Sequence, residues 1–294
     1  MKNILSLKVI ILVLLLIVGA GLVFVLPGKI ILPQQLEVLG FGIHYYGVIL
    51  AVAILSAYYL ATSRKELVNF TTDEVENISL VVLIGGFIGA RLYHVVSSWD
   101  YYTNHWFEIL QVWNGGLGIF GAIFVGLLAL FIYQRYYLQT PLLKILDWLA
   151  PSVVMAQAIG RFGNLFNYEA YGLPTNLFWK MFVPIQFRES GYFAFEYFHP
   201  LFLYEAIAGL LIALILLKWS DISKYFGIKV KAGQVFFLWL ILYGITRVAT
   251  ESLRIDSVYL GDFKQNIIVS VAVVLLCGYL FITSIISKPK NESN

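Results

Sequence analysis

Apolar runs of about twenty residues recur along the whole chain, and no other feature narrows its folding options so far. A helix of that length crosses the roughly 30 Å hydrocarbon core of a bilayer. In hydrocarbon, every backbone polar group must also find its partner inside the protein. The runs fall at residues 7–26, 43–61, 78–98, 112–133, 148–167, 201–217, 233–251 and 266–286. None shows the short apolar–polar alternation of a transmembrane barrel. Of the 294 residues, 60% are apolar and 13% charged, about half the charged share of a soluble domain. The expected architecture is an all-α polytopic membrane protein: seven core transmembrane helices, an extra N-terminal helix and a small extracytoplasmic cap.

Basic residues orient the runs, because Lys and Arg collect on the cytoplasmic side. With the N-terminus inside, Lys2, Lys8, Arg64, Lys65, Arg135, Lys144, Lys218, Lys224, Lys229, Lys231, Lys288 and Lys290 are all cytoplasmic. Only Lys29, Lys180, Arg188, Arg254 and Lys264 fall outside, and Arg91, Arg161 and Arg247 lie within runs. Both termini are therefore expected in the cytoplasm. Lys2 and Lys8 before the first run resemble a signal peptide, but the run is long and Phe24-Val25-Leu26-Pro27 lacks an Ala-x-Ala cleavage end. Residues 1–30 read as a retained anchor helix. Residues 31–286 read as the main transmembrane domain, with an outer cap at about 168–198, and 287–294 as a cytoplasmic tail. In the cap, the alternation of Phe182 to Phe187 suggests a short strand or hairpin.

Several chemistries are excluded. A net charge of +3 is too small for a nucleic-acid binder. The single cysteine, Cys277, can form no internal disulfide, and the four histidines are scattered. There is no H-E-x-x-H, P-loop or G-x-S-x-G elbow, so neither metal nor cofactor is expected.

The polar groups at membrane depth are informative, since an ionisable side chain there is by default functional. Tyr46, Arg91, Arg161, Asn164, Asn167, Glu169, His199, Tyr204, Glu205, Tyr243, Arg247, Glu251 and Arg254 all fall toward the outer end of the oriented runs. Tyr243, Arg247 and Glu251 are spaced i, i+4, i+8 and share one helix face. A channel lines its whole length, and a transporter site lies at mid-depth. One-sided clustering instead suits an enzyme acting at the outer leaflet on an anionic head. Blander readings coexist with this one. Arg247–Glu251 also reads as a structural ion pair and Arg91 as a snorkelling side chain. A transporter or channel for an anionic solute, a membrane scaffold and a different phospholipid head-group transferase are the alternative functions.

Residues 160–172, Gly-Arg-Phe-Gly-Asn-Leu-Phe-Asn-Tyr-Glu-Ala-Tyr-Gly, resemble the signature G-R-x-G-N-F-x-N-x-E-x-x-G of the prolipoprotein diacylglyceryl transferases, with Leu165 for the usual Phe. The resemblance continues in His199-Pro200…Tyr204-Glu205, in Tyr243-Gly244…Arg247…Glu251…Arg254…Asp256, and in Gly89-Ala90-Arg91, Trp113-x-Gly115-Gly116 and Tyr46-Gly47. It covers about residues 40–285. It implies an enzyme of the bacterial cell membrane that moves the diacylglyceryl group of phosphatidylglycerol to the lipobox cysteine thiol of preprolipoproteins. A thioether forms and glycerol-1-phosphate leaves.

That reaction needs phosphate recognition, stabilisation of the leaving group and loss of the thiol proton. Arg161 and Arg247 are the expected phosphate clamp, with Glu251 orienting Arg247. Asn164, Asn167, Tyr46, Tyr243, Tyr204, Glu205, Arg91 and Arg254 are the expected donor-lipid contacts. His199, Glu169 and Glu205 are the available proton acceptors, unless nearby arginines lower the thiol pKa enough to dispense with a base. One position departs from the family. Where its members often carry histidine before a glycine pair, this chain reads Phe120-Gly121-Ala122. Phenylalanine accepts no proton, so an obligatory base at 120 cannot operate here.

Overall fold

The computed structural model describes residues 19–38 and 41–286. Of the expected N-terminal anchor, residues 1–18 lie outside the described residues, as does the tail; residues 19–25 are helical. The remaining helices are α1 (Tyr45–Ser63), α2 (Thr72–Ser97), the single turn α3 (Trp99–Tyr102), α4 (Ile119–Tyr137), α5 (Leu142–Asn167), α6 (Leu201–Leu217), α7 (Trp219–Tyr225), α8 (Gln234–Ser252) and α9 (Gln265–Ile286). Three antiparallel strand pairs join them: β1 (Gln35–Val38) with β2 (Phe41–His44), β3 (Met181–Phe182) with β4 (Tyr197–Phe198), and β5 (Tyr259–Leu260) with β6 (Phe263–Lys264).

Among the described residues, six helices are long and apolar enough to cross a bilayer: α1, α2, α4, α5, α8 and α9. Helices α6 and α7 meet at a 61° bend and make a seventh crossing if the pair is one span. This is the all-α polytopic architecture that the apolar runs predict. Two boundaries differ from the expected runs. Helix α2 starts at Thr72 and not at 78, because Thr71 and Glu74 form a reciprocal capping box that satisfies two otherwise orphaned amides. Helix α4 starts at Ile119 and not at 112. Val112–Asn114 make a 3-10 turn, and Gly115 and Gly116 follow at φ of 86° and 76°, which no side-chain-bearing helix residue adopts. In the cap the expected strand shrinks to Met181–Phe182, and Ile185–Phe187 form a 3-10 turn after Pro184.

The chain divides into two compact units, Met1–Ala57 with Val153–Asn294, and Tyr58–Ser152. In the Tyr58–Ser152 unit, α2 and α4 pack through glycine. A Cβ at Gly89 would overlap the Gly121 carbonyl, and one at Gly121 would overlap that of Gly89. Lipid tails give apolar helices little reason to associate, so close backbone approach at small residues takes over that role. The opposite ends of these helices enclose a core of Val75, Ile78, Leu130, Ile145 and Trp148. There the Trp148 indole N–H donates to the Ala61 carbonyl at 3.1 Å, and Arg64 donates to the Trp148 carbonyl at 2.9 Å.

In the other unit, Gly244 of α8 lies against Ser270 and Val274 of α9, and Gly209 of α6 against Ala158 of α5. A further core joins Leu165, Tyr171, Met181, Val183, Phe198 and Phe202. Tyr168 Oη accepts the Leu32 amide at 2.8 Å and so fixes the segment that leads into β1.

Gly89→Ala is expected to lower stability by about 1–3 kcal/mol through overpacking. Gly278→Ala, whose Cβ would meet nothing within 4 Å, should stabilise slightly through helix propensity. Thermal unfolding in detergent micelles separates the two signs, and a stabilised Gly89→Ala would refute the glycine-mediated contact.

Candidate active site

Three helices of the larger unit bring charge to one point: the last turns of α5, the first turn of α6 and the last turns of α8. Glu205, on α6, is the hub. Its Oε2 lies 2.9 Å from Arg161 Nε, and its Oε1 lies 2.8 Å from Arg247 Nη1 and 3.2 Å from Arg254 Nη2. The Thr250 hydroxyl donates to the same Oε1 at 3.1 Å. Glu251, wholly buried, forms a second node. Its Oε2 is 2.9 Å from Arg247 Nη2 and 3.6 Å from Arg254 Nε, and its Oε1 accepts the Asn266 amide at 3.2 Å. Arg247, Glu251 and Arg254 stand at i, i+4 and i+7, which puts all three on one face of α8 and its C-terminal extension. Lys264 closes that helix end, donating to the carbonyls of Glu251 at 2.7 Å and Arg254 at 2.8 Å. A cation there satisfies orphan carbonyls and complements the helix dipole.

The end of the signature is laced to this network through the backbone. Gly172 N–H donates to the His199 carbonyl at 2.9 Å, His199 N–H to the Leu173 carbonyl at 3.1 Å, and Leu173 N–H to the Leu253 carbonyl at 2.8 Å. Gly172 also bridges Arg254 in antiparallel fashion. A Cβ at Gly172 would sit 2.8 Å from the Leu253 carbonyl oxygen, so the lane admits only glycine.

The arginines differ in how fully they are engaged. Both terminal nitrogens of Arg247 are held by carboxylates, and Arg254 binds Glu205, Glu251 and, at 3.3 Å, Asp256. Arg161 uses only Nε, and its two terminal nitrogens have no partner among the described residues. Four residues before it, Gln157 carries a buried Oε1 without a hydrogen bond. Three residues after it, the buried Asn164 has an uncommitted side-chain amide. Gln157, Arg161 and Asn164 thus form a stripe of available polar groups along one face of α5. A cavity of about 20 Å³ lies against Gln157, Arg161, Glu205, Tyr243 and Arg247. Tyr46 packs its ring on Gly163, where a Cβ would come within 2.6 Å of Cδ2.

Residues 33–283 match the family of prolipoprotein diacylglyceryl transferases. A protein of Fervidobacterium nodosum is 36% identical over 287 residues, covering 96% of each chain. One of Thermotoga maritima is 37% identical over 267 residues, 88% of each chain. A third, of Synechocystis, is 36% identical over 244 residues, 83% of this chain and 86% of its own. All three are named phosphatidylglycerol–prolipoprotein diacylglyceryl transferase. The chain belongs to the prolipoprotein diacylglyceryl transferase family.

In this member of the family, both carboxylate oxygens of Glu205 face the guanidinium groups of Arg161, Arg247 and Arg254. Arg91 belongs to the other unit. It is buried, and its guanidinium donates to the backbone carbonyls of Glu108, Ile109, Gly115 and Gly116, so it shapes the loop between α2 and α4. Asn167 donates to Glu169 Oε1 at 3.0 Å. Both line a larger recess of about 240 Å³, together with Gln34, Tyr171, Glu189 and Asp256. Tyr204 bonds His199 and Trp179. Phe120 is half-exposed and lies beside Tyr93, with ring centres 6.1 Å apart. Among the described residues, no three His, Cys, Asp or Glu side chains converge as metal ligands would. Gln157 escaped the sequence reading, although its position one turn before Arg161 was available as a signal.

Glu251→Ala leaves two half-buried guanidinium groups short of a buried counter-charge. Stability is expected to fall by about 3–5 kcal/mol, against a change within about 0.5 kcal/mol for the exposed Asp221→Ala. Thermal unfolding in detergent is the measurement, and equal midpoints for the two variants would contradict the network.

Proposed function

We infer that this enzyme transfers the diacylglyceryl group of phosphatidylglycerol to the cysteine thiol of a preprolipoprotein lipobox. The observation that carries the reading is the uncommitted face of Arg161, flanked by Asn164, in a cluster whose other two guanidinium groups are already paired. A planar guanidinium presents two parallel N–H donors to phosphate oxygens, and Asn164 adds a neutral donor. Arg247 contributes its charge from a fixed position, held between Glu205 and Glu251.

In the reaction, the thiol sulfur forms a C–S bond to the terminal glycerol carbon as the C–O bond to phosphate breaks. The electron pair leaves on glycerol-1-phosphate, and a pre-aligned guanidinium stabilises the charge that develops there. Glu205 and Glu251 are already engaged by the guanidinium groups. Glu169 is exposed beside the larger recess and, among the described residues, accepts only from Asn167, so it is the carboxylate available to take the proton. The recess leaves room for polar polypeptide next to the phosphate site.

The charge bias of the loops supports an orientation with both termini cytoplasmic and the site near the outer leaflet of a bacterial cell membrane. In that reading residues 31–286 are the catalytic domain, with the 168–198 cap toward the exterior, behind an N-terminal anchor over 1–30.

The test is purified protein with labelled phosphatidylglycerol and a lipobox peptide, with a Cys→Ser peptide as control. A cysteine-dependent mass gain of one diacylglyceryl group is expected. Arg161→Ala should reduce the rate about 10²–10³-fold, and Arg161→Lys should not restore it, because a point charge lacks the bidentate fork. Wild-type turnover by Arg161→Ala would sink the phosphate assignment.

A further inference from the structure

Trp179, Tyr204 and His199 form a hydrogen-bonded chain between the cap and the first turn of α6. The Trp179 indole Nε1 lies 2.7 Å from Tyr204 Oη, which in turn lies 3.1 Å from His199 Nδ1. An indole N–H only donates, so Tyr204 Oη is the acceptor in the first contact. The phenol has a single proton to give. His199 Nδ1 is the one remaining hydrogen-bonding group within its reach among the described residues. A neutral imidazole accepts at one nitrogen and carries its proton on the other.

We propose that Trp179 and Tyr204 hold His199 as the Nε2–H tautomer, making it a hydrogen-bond donor to the departing phosphate and not the base for the thiol. Nε2 has no partner among the described residues, so its proton is available to a ligand. The backbone of His199 is fixed on both sides by Gly172 and Leu173, and Gly172 bridges Arg254. The imidazole is thus tied to the arginine network by a rigid lane. Burial holds the imidazole below its ordinary value, so the ring is neutral at pH 7.5. Tyr204 is the only titratable side chain bonded to it among the described residues. Trp179 and Tyr204 are positioning residues in this scheme.

The role given to Nε2–H rests on the transferase reading; the tautomer does not. Nitrogen-15 histidine labelling of the intact protein in detergent micelles at pH 7.5 reports which ring nitrogen carries the proton, with His199→Gln assigning the signal. The proton is expected on Nε2, and Tyr204→Phe should shift population toward Nδ1–H. A wild-type proton on Nδ1 overturns the proposal. In the transfer assay, His199→Gln, whose amide reaches the Nε2 position, should stay within about tenfold of wild type. His199→Ala should fall about 10²-fold, as for loss of an oxyanion donor. A Gln variant as slow as Ala would overturn the donor role. Absence of transfer by the wild type would strike the transferase reading and leave the labelling result standing.

Discussion

Three guanidinium groups gathered on two buried carboxylates are the interaction on which the rest of the site depends. A charge at membrane depth persists only with partners at hand, and Glu205 and Glu251 supply them to Arg161, Arg247 and Arg254. The buried count leaves one positive charge in excess. Asp256 meets Arg254 but is partly solvated, so it screens only the edge of the cluster. Positive charge without a buried counter-ion, in a medium of low dielectric, attracts an anion strongly. Within the cluster, Arg161 is the arginine whose terminal nitrogens meet no partner among the described residues, which gives that attraction a direction.

This arrangement also dictates which helices must meet. The charges come from α5, α6 and α8, and none of the three segments satisfies its own groups alone. Gly209 against Ala158 and Gly244 against α9 permit the close approach that keeps short ion pairs short. Gly172 does the same for the backbone lane beside Arg254. The glycines and the charges are therefore one design feature: a carboxylate shared by three guanidinium groups tolerates little displacement, because an unpaired buried charge is far more costly than a paired one.

What the sequence could reveal follows from the range of each interaction. Hydrocarbon imposes length and apolarity locally, so the spans were legible from residue type alone. The Arg247–Glu251 pair was legible too, because i, i+4 spacing is a property of one helix. The hub role of Glu205 was not, since its partners lie on two other helices and no spacing encodes them. Arg91 shows the same limit from the other side. Its sequence position reads as a donor-lipid contact or a snorkelling side chain, yet its partners are carbonyls presented by the 3-10 turns and positive-φ glycines of residues 106–116. Those same glycines end the apolar run that seemed to start α4 at 112. Backbone irregularity creates acceptors that side-chain chemistry cannot announce.

The division between committed and available groups bears on the thiol proton as well. At position 120 this chain places an aromatic ring against Tyr93, and no proton can be taken there. Glu205 and Glu251 are each engaged by guanidinium groups at salt-bridge distance, which leaves neither carboxylate facing open space. On the proposed reading, His199 offers a proton where a base would need a lone pair. A cysteine thiol starts near pKa 8.5, and an opposite charge within about 4–6 Å lowers an acid's pKa by about 1–3 units. On the proposed reading, a thiol brought up to the arginine cluster is drawn toward its thiolate. The proton then needs only an exit, which Glu169 and the polar recess beside it provide. On that reading one arginine cluster receives the phosphate and favours the thiolate, and Glu169 is the group that takes the proton.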